Sequence, residues 1–379
     1  MIGDDFAELK LFITGPIMLR NEVRQAGLLP EFGHRDSENL KRFESIMRNL
    51  LIIAGNPEGY TPIIFNGSGT NVLEASIRSL ISDTDKVLNV SVGAFGDLYG
   101  KLSSTNGKNV ELLKFPYGSA VDLKVLEEAL IEYKPDVVTF THNETSTGVI
   151  NDVVAICKLI RVHGSLPVVD GVSLFGGAPS TISEARPLMY CTSTQKSLGL
   201  PAGYGIGFVS DEALTKAEQV RNRGYTTDIL AQVTKAKLNQ TLTTPNGTLG
   251  NQMCVQLDYI VNSETVEGRF KRHEEMRSIA HAWVGTMEGY ELFAQEGHRS
   301  PTLTTVKTPA HMTIDRLKEV KELMRGHGYL FDPGYGKINK ELQEEGSSPI
   351  FRVGHMADIM PDMLREYLKT LGGVLRGFK

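Results

Sequence analysis

A lysine and an aspartate frame the chemistry this chain could do. Lys196 closes the run Tyr190-Cys191-Thr192-Ser193-Thr194-Gln195-Lys196, just after a short apolar stretch. Asp170 closes a second apolar run, Leu166-Pro167-Val168-Val169-Asp170. The two lie roughly one βαβ unit apart, about 30 residues. One cofactor asks for such a pair. Pyridoxal phosphate (PLP) needs an amine for its aldehyde and an anion beside its pyridinium nitrogen. A lone aspartate is more often a helix cap or a loop residue. This one directly follows a near-continuous apolar run and precedes Gly171, as a carboxylate at a strand end would.

Three other segments carry groups suited to the same cofactor. Asn66-Gly67-Ser68-Gly69-Thr70 joins an expected strand to an expected helix. Glycines there let the backbone approach an anion, and a helix start offers free N–H groups and the positive end of its dipole. Ser68 and Thr70 add hydroxyl donors. No Gly-Lys-Ser/Thr follows, so this is not a Walker loop; taken alone it is also an ordinary glycine turn with an N-cap. Phe95, within Val92-Gly93-Ala94-Phe95-Gly96, has small neighbours that leave room for a flat ring over its face, although a core role would suit it equally. His142-Asn143-Glu144-Thr145-Ser146-Thr147-Gly148 follows another strand and is dense in hydrogen-bonding groups that could reach a cofactor oxygen.

The elements that must position these residues alternate. Strands are expected over 61–65, 86–92, 136–141, 166–169, 188–193 and 204–210, with helices over 70–82, 123–133 and 152–163. Val72, Leu73, Ile77, Leu80 and Ile81 share one face of the first helix. This is the rhythm of an α/β fold with a mainly parallel sheet between layers of helices. Ligands of such sheets lie beyond the carboxyl ends of the strands, where Asp170 and Lys196 both fall. Past about residue 260 the texture becomes α+β. A long amphipathic helix is expected over 264–288, a strand over 300–306, a helix over 314–327, strands near 329–331 and 351–353, and a closing helix over 360–371.

The chain has 379 residues, 41% of them hydrophobic. That length exceeds the roughly 250–300 residues at which a single core stops growing. The expected division is an N-terminal arm over 1–15, a large PLP-binding domain over 16–262 and a small C-terminal domain over 263–379. A net charge of −5 with no basic stripe gives no footprint for nucleic acid or a membrane surface, and no apolar run is long enough to span a bilayer. Cys157, Cys191 and Cys254 are far apart, with no CxxC or metal-ligand spacing, and the acidic start Met1-Ile2-Gly3-Asp4-Asp5 is not a signal peptide. Reduced thiols in a cytoplasm are expected.

Taken in order, these motifs resemble the class V aminotransferases of PLP fold type I. The likeness is greatest to the alanine–glyoxylate and serine–pyruvate branch, with 2-aminoethylphosphonate–pyruvate aminotransferases nearby. It extends over Thr14-Gly15-Pro16, Gly33-His34-Arg35, Gly67-Ser68-Gly69-Thr70, Gly93-Ala94-Phe95-Gly96, the segment from His142 to Gly148, Val169-Asp170-Gly171-Val172-Ser173, Ser193-Thr194-Gln195-Lys196 and Phe351-Arg352-Val353-Gly354-His355-Met356. The resemblance implies that Lys196 is the Schiff-base lysine and Asp170 the pyridinium partner. It puts Ser68, Gly69, Thr70 and Gln195 on the phosphate side, Ser193 among the cofactor-binding residues, Phe95 against the ring and Thr145 near the cofactor oxygen. It implies a homodimer with shared active sites, in which Thr244 reaches the phosphate of the neighbouring subunit; Thr241 stands where a second cross-subunit aromatic is often found. Arg352, a planar fork, would grip the substrate carboxylate, with Gly15 lining the same place.

The expected activity is transfer of an amino group from a small amino acid such as alanine or serine to a 2-oxo acid such as glyoxylate or pyruvate. Lys196, its pKa lowered beside a cationic cofactor, would carry the proton from the substrate Cα. The alternatives are a 2-aminoethylphosphonate donor, a PLP-dependent lyase, or a non-catalytic regulator on the same fold. A desulfurase fits poorly, since Gln195 and Phe95 hold places where histidines are usual and no cysteine follows Cys254. A regulator would be expected to lose Lys196 or Asp170. Arg20 and Arg35 could read a second anion, although salt bridges are the plainer role for both, and His355 reads as a packed loop histidine.

Overall fold

The computed structural model describes residues 9–31 and 33–378, so residues 1–8 of the expected N-terminal arm lie outside it. Seven strands make the central sheet: β1 (Tyr60–Gly67), β2 (Lys86–Ser91), β3 (Asn109–Lys114), β4 (Val137–Thr141), β5 (Leu166–Asp170), β6 (Met189–Ser193) and β7 (Gly203–Ser210). Their order in space is β1-β7-β6-β5-β4-β2-β3. Only β7 runs antiparallel to its neighbours, so the other six all point one way. Every residue of β4 and β6 is buried, as befits parallel strands covered on both faces.

Helix α1 (Gly69–Leu80) follows β1 and buries Val72, Leu73, Ile77 and Leu80 against the sheet. Helix α2 (Ala94–Thr105) follows β2. The expected elements are present with ends displaced by up to a few residues. Several elements were not expected, among them β3, α2 and the helix Ser37–Ile53. β3 is the edge strand, largely exposed, and its Glu111 and Lys114 blur the β pattern.

A large hydrophobic core lines the sheet and includes Phe43, Val72, Val138, Ile206 and Ile260. A second core gathers Met276, Val306, Leu317, Phe351 and Leu371. It packs around an antiparallel sheet of β8 (Glu291–Leu292), β9 (Leu303–Lys307) and β10 (Ile350–Gly354). Phe12 belongs to this second core. Its ring stacks on Tyr367 with centroids 4.0 Å apart, and the adjoining Lys10–Leu11 pairs in parallel with Tyr329–Leu330. The start of the described chain is thereby fixed to its end, and this carries Thr14 and Gly15 to Lys196.

The long helix is α3 (Val266–Gly285), and here the structure corrects the sequence reading. It is not amphipathic in the ordinary sense, because its buried face carries Arg269, Arg272 and His273 beside Met276, Ala280 and Val284. Such burial needs full pairing. Arg269 donates to the Gly176 and Ser197 carbonyls at 3.0 and 2.7 Å, to Glu264 at 2.7 Å and to Asp358 at 2.8 Å. Ser197 directly follows Lys196, so this fully buried arginine holds the loop of that lysine.

Candidate active site

The carboxyl ends of β1, β2, β4, β5 and β6 open on one cavity of about 150 Å³, the size of a site that takes an aromatic ring. Ser68, Gly69 and Thr70 line it from the start of α1, Phe95 from the first turn of α2, Thr145 from the segment after β4, Asp170 from the end of β5, and Gln195 and Lys196 from the turn after β6. Eight of the residues singled out from sequence are therefore brought together.

The phosphate-side groups are arranged by α1. The Asn71 side chain reaches back to accept from Ser68 N at 2.8 Å, which ties off that amide and leaves the first turn of the helix facing the cavity. Ser193 Oγ lies near this turn, 3.2 Å from where a Cβ on Gly69 would stand, and Val172 Cγ2 is closer still at 2.9 Å, so a larger residue would crowd the approach. Ser193 Oγ and the Gln195 and Asn143 side-chain oxygens are buried without a hydrogen-bond partner. Asn143 and Gln195 line the cavity and Ser193 lies beside Gly69 at its wall; native interiors rarely leave such atoms unpaired, and this grouping fits a polar ligand.

Asp170 is buried, and its Oδ1 accepts from Val172 N at 2.9 Å. Burial pushes its pKa up to about 7. A cation placed against it would restore the charged form. Behind it, His142 Nδ1 and the Tyr190 hydroxyl are 3.0 Å apart. Burial lowers the His142 pKa to about 3, so this imidazole is neutral.

The Lys196 amine donates to the Thr14 carbonyl. Its pKa is lowered to about 8, first by burial and then by the positive charge of Arg352. Gly15, at φ +118°, leaves the space that the amine fills. Arg352 lies on β10, at the carbonyl of Thr145, to which Nη1 donates at 3.1 Å. Nη2 bonds to Asp332 at 3.1 Å, and Nε is buried without a partner.

Other expectations fall outside the cavity. Thr244 is exposed, and its carbonyl accepts from Asn66 Nδ2 at 2.6 Å. The Arg20 guanidinium lies 3.3 Å over the Tyr259 ring and bonds to Gln256, and Arg35 is exposed. His355 is buried against Thr304 Oγ1 at 3.0 Å. Sequence reasoning missed two residues. Glu144, fully buried, accepts from Phe95 N at 3.1 Å, Gly96 N at 2.9 Å and Ser146 Oγ at 2.6 Å, and so fixes the helix turn that presents Phe95. Its signal was its place in the segment from His142 to Gly148. Asp332, the partner of Arg352, has no flanking motif that marks it.

Comparison with known proteins agrees with this geometry. The family model described as Aminotransferase class-V matches residues 35–325. An uncharacterised aminotransferase of Methanocaldococcus jannaschii is 30% identical, over 93% of this chain and 89% of its own. A 2-aminoethylphosphonate–pyruvate transaminase of Bacteroides fragilis is 26% identical, over 93% and 95%. The crystal structure of an alanine–glyoxylate aminotransferase from Nostoc sp. superposes with a TM-score of 0.89 at 25% identity, over 97% of this chain and 96% of that one.

Proposed function

The chain belongs to the class V aminotransferases, PLP-dependent transaminases of fold type I, and on that premise we propose that it moves an amino group from a small amino acid such as alanine or serine to glyoxylate or pyruvate. The observation that carries this reading is the joint placement of Lys196, Asp170 and the unpaired polar atoms around a ring-sized cavity, with Arg352 beyond the lysine.

Bound PLP supplies an electron sink that stabilises negative charge at the substrate Cα. The residues of the chain do the rest. Lys196 would hold the aldehyde of PLP and, as the free amine, carry the proton of the substrate Cα; a pKa lowered to about 8 leaves part of it neutral near that pH. Asp170, ionised against the pyridinium, keeps that nitrogen protonated. Ser68, Gly69, Thr70, Ser193 and Gln195 hold the phosphate with the dipole of α1 behind them. Phe95 and Thr145 line the cavity and would meet the ring and its oxygen. Arg352 takes the substrate carboxylate through its unpaired Nε, with Gly15 leaving room. Thr244 completes the phosphate site of a second copy in a homodimer, and the enzyme works in the cytoplasm, with no helix among the described residues able to cross a membrane.

A donor–acceptor screen tests this. Alanine and serine with glyoxylate and pyruvate should react; no amino transfer among these pairs would sink the reading. A 2-aminoethylphosphonate donor is the second reading, favoured by the Bacteroides fragilis relative, and belongs in the same screen.

A further inference from the structure

Arg352 does not stand alone as a cation. Asp332 faces it with both oxygens about equally close, one bonded at 3.1 Å and the other at 3.1 Å in the ion pair. Both side chains are nearly buried. The aspartate is also held from other directions. It accepts from Thr14 N at 3.3 Å, Thr14 Oγ1 at 3.1 Å and Gly334 N at 3.1 Å. Its own carbonyl accepts from Arg352 N at 3.0 Å, an antiparallel bridge that fixes the two residues side by side. A carboxylate with this many donors does not swing away when a ligand arrives.

The consequence is electrostatic. A lone buried guanidinium attracts any number of nearby anions, and a paired one presents a dipole. One carboxylate can still take the unpaired Nε of Arg352, because a directed hydrogen bond survives partial neutralisation. A second negative charge on the same ligand finds its cation already matched and meets the field of Asp332. The charges that bear on Lys196 are Arg352, Asp332 and Asp170, of which only Arg352 is a cation. The same loop then presents an aromatic wall: the Tyr335 ring lies 6.0 Å from the Arg352 guanidinium and 5.9 Å from the Phe95 ring.

We propose that Asp332 is a specificity-determining residue: by pairing with Arg352 it restricts the substrate end of the site to ligands with a single carboxylate and an uncharged side chain, and excludes dicarboxylates. This rests on the reading that Arg352 receives the substrate carboxylate.

The test uses the PLP-loaded full chain and two acceptors of matched shape, 2-oxobutyrate and freshly dissolved oxaloacetate. Aspartate formation is followed for the latter, so that its decay product is not counted. In the wild type, KM for oxaloacetate should exceed that for 2-oxobutyrate by about tenfold or more. Asp332→Asn removes the charge and keeps one side-chain oxygen, enough for the Thr14 donors or for Gly334 N, which bond to different oxygens of the carboxylate; it should shrink that ratio to within about threefold. A wild type that accepts both alike, or a ratio unmoved in Asp332→Asn, overturns the proposal, because a merely structural aspartate would change both KM values together. If Asp332→Asn does not fold, competitive inhibition of the wild type by propionate and malonate decides: propionate should bind about tenfold tighter, and equal inhibition overturns the proposal. Failure of the underlying reading looks different. Arg352→Lys would then leave KM for 2-oxobutyrate where it was.

Discussion

A Cβ on Gly15 would stand 2.7 Å from Nζ of Lys196. The glycine is therefore the space in which the lysine amine rests, with the Thr14 carbonyl as its acceptor. Gly15→Ala should force the amine out of that position, and the backbone at φ +118° opposes the substitution independently. The expected result is a folded protein in which PLP capture slows by about tenfold or more, read by stopped-flow absorbance. Capture at the wild-type rate would show that the resting place of the amine is of no consequence.

Lys196 itself is tested by removal. Lys196→Ala should still bind PLP through the phosphate side, yet borohydride should fix no cofactor to the chain. Amino transfer should fall on the order of 10³-fold or more. Mass spectrometry of the reduced protein reads the first outcome, and a steady-state assay the second.

The pH dependence of cofactor capture follows from the same residue. Only the neutral amine attacks an aldehyde, and Lys196 has its pKa lowered from 10.5 to about 8 by burial and by Arg352. The capture rate should rise with pH and level off above about 8. A rise continuing towards 10.5 would mean that the lysine is not so perturbed.

Asp170 gives a stability signature of opposite sign to that of an ordinary ion-paired carboxylate. Its folded pKa is raised from 3.8 to about 7, so the unfolded chain releases its proton first. The cofactor-free protein should lose stability as pH rises from about 4 to 7, on the order of a few kcal/mol. Asp170→Asn should lack this slope. PLP, by placing a cation at the carboxylate, should flatten it in the wild type. Urea midpoints across that pH range, with and without PLP, measure all three.

Much of the site was legible because its residues sit at strand ends, where a change from apolar to polar residues is visible in a single sequence. Asp170 and Lys196 could be found in this way, as could the turn from Asn66 to Thr70. Strands β4, β5 and β6 read clearly because they are covered on both faces. What remained hidden depended on distant pairing. Asp332 meets Arg352 only because two short strand segments bridge across the second core. Glu144 reaches Phe95 only once β2 and β4 lie side by side. The buried arginines of α3 contradict hydropathy outright, and their carboxylate and carbonyl partners at 176, 197, 264 and 358 give no local clue. Thr244 is exposed in the single chain, and the cross-subunit role proposed for it would leave no mark among single-chain contacts.

Arg269 has a consequence for how the protein comes into being. The peptide that follows Lys196 is held by an arginine made 72 residues later, and that arginine is matched in turn by Asp358, a further 89 residues along the chain. The lysine thus emerges from the ribosome long before the groups that fix its loop. Cofactor capture should therefore wait until both Arg269 and Asp358 have been made.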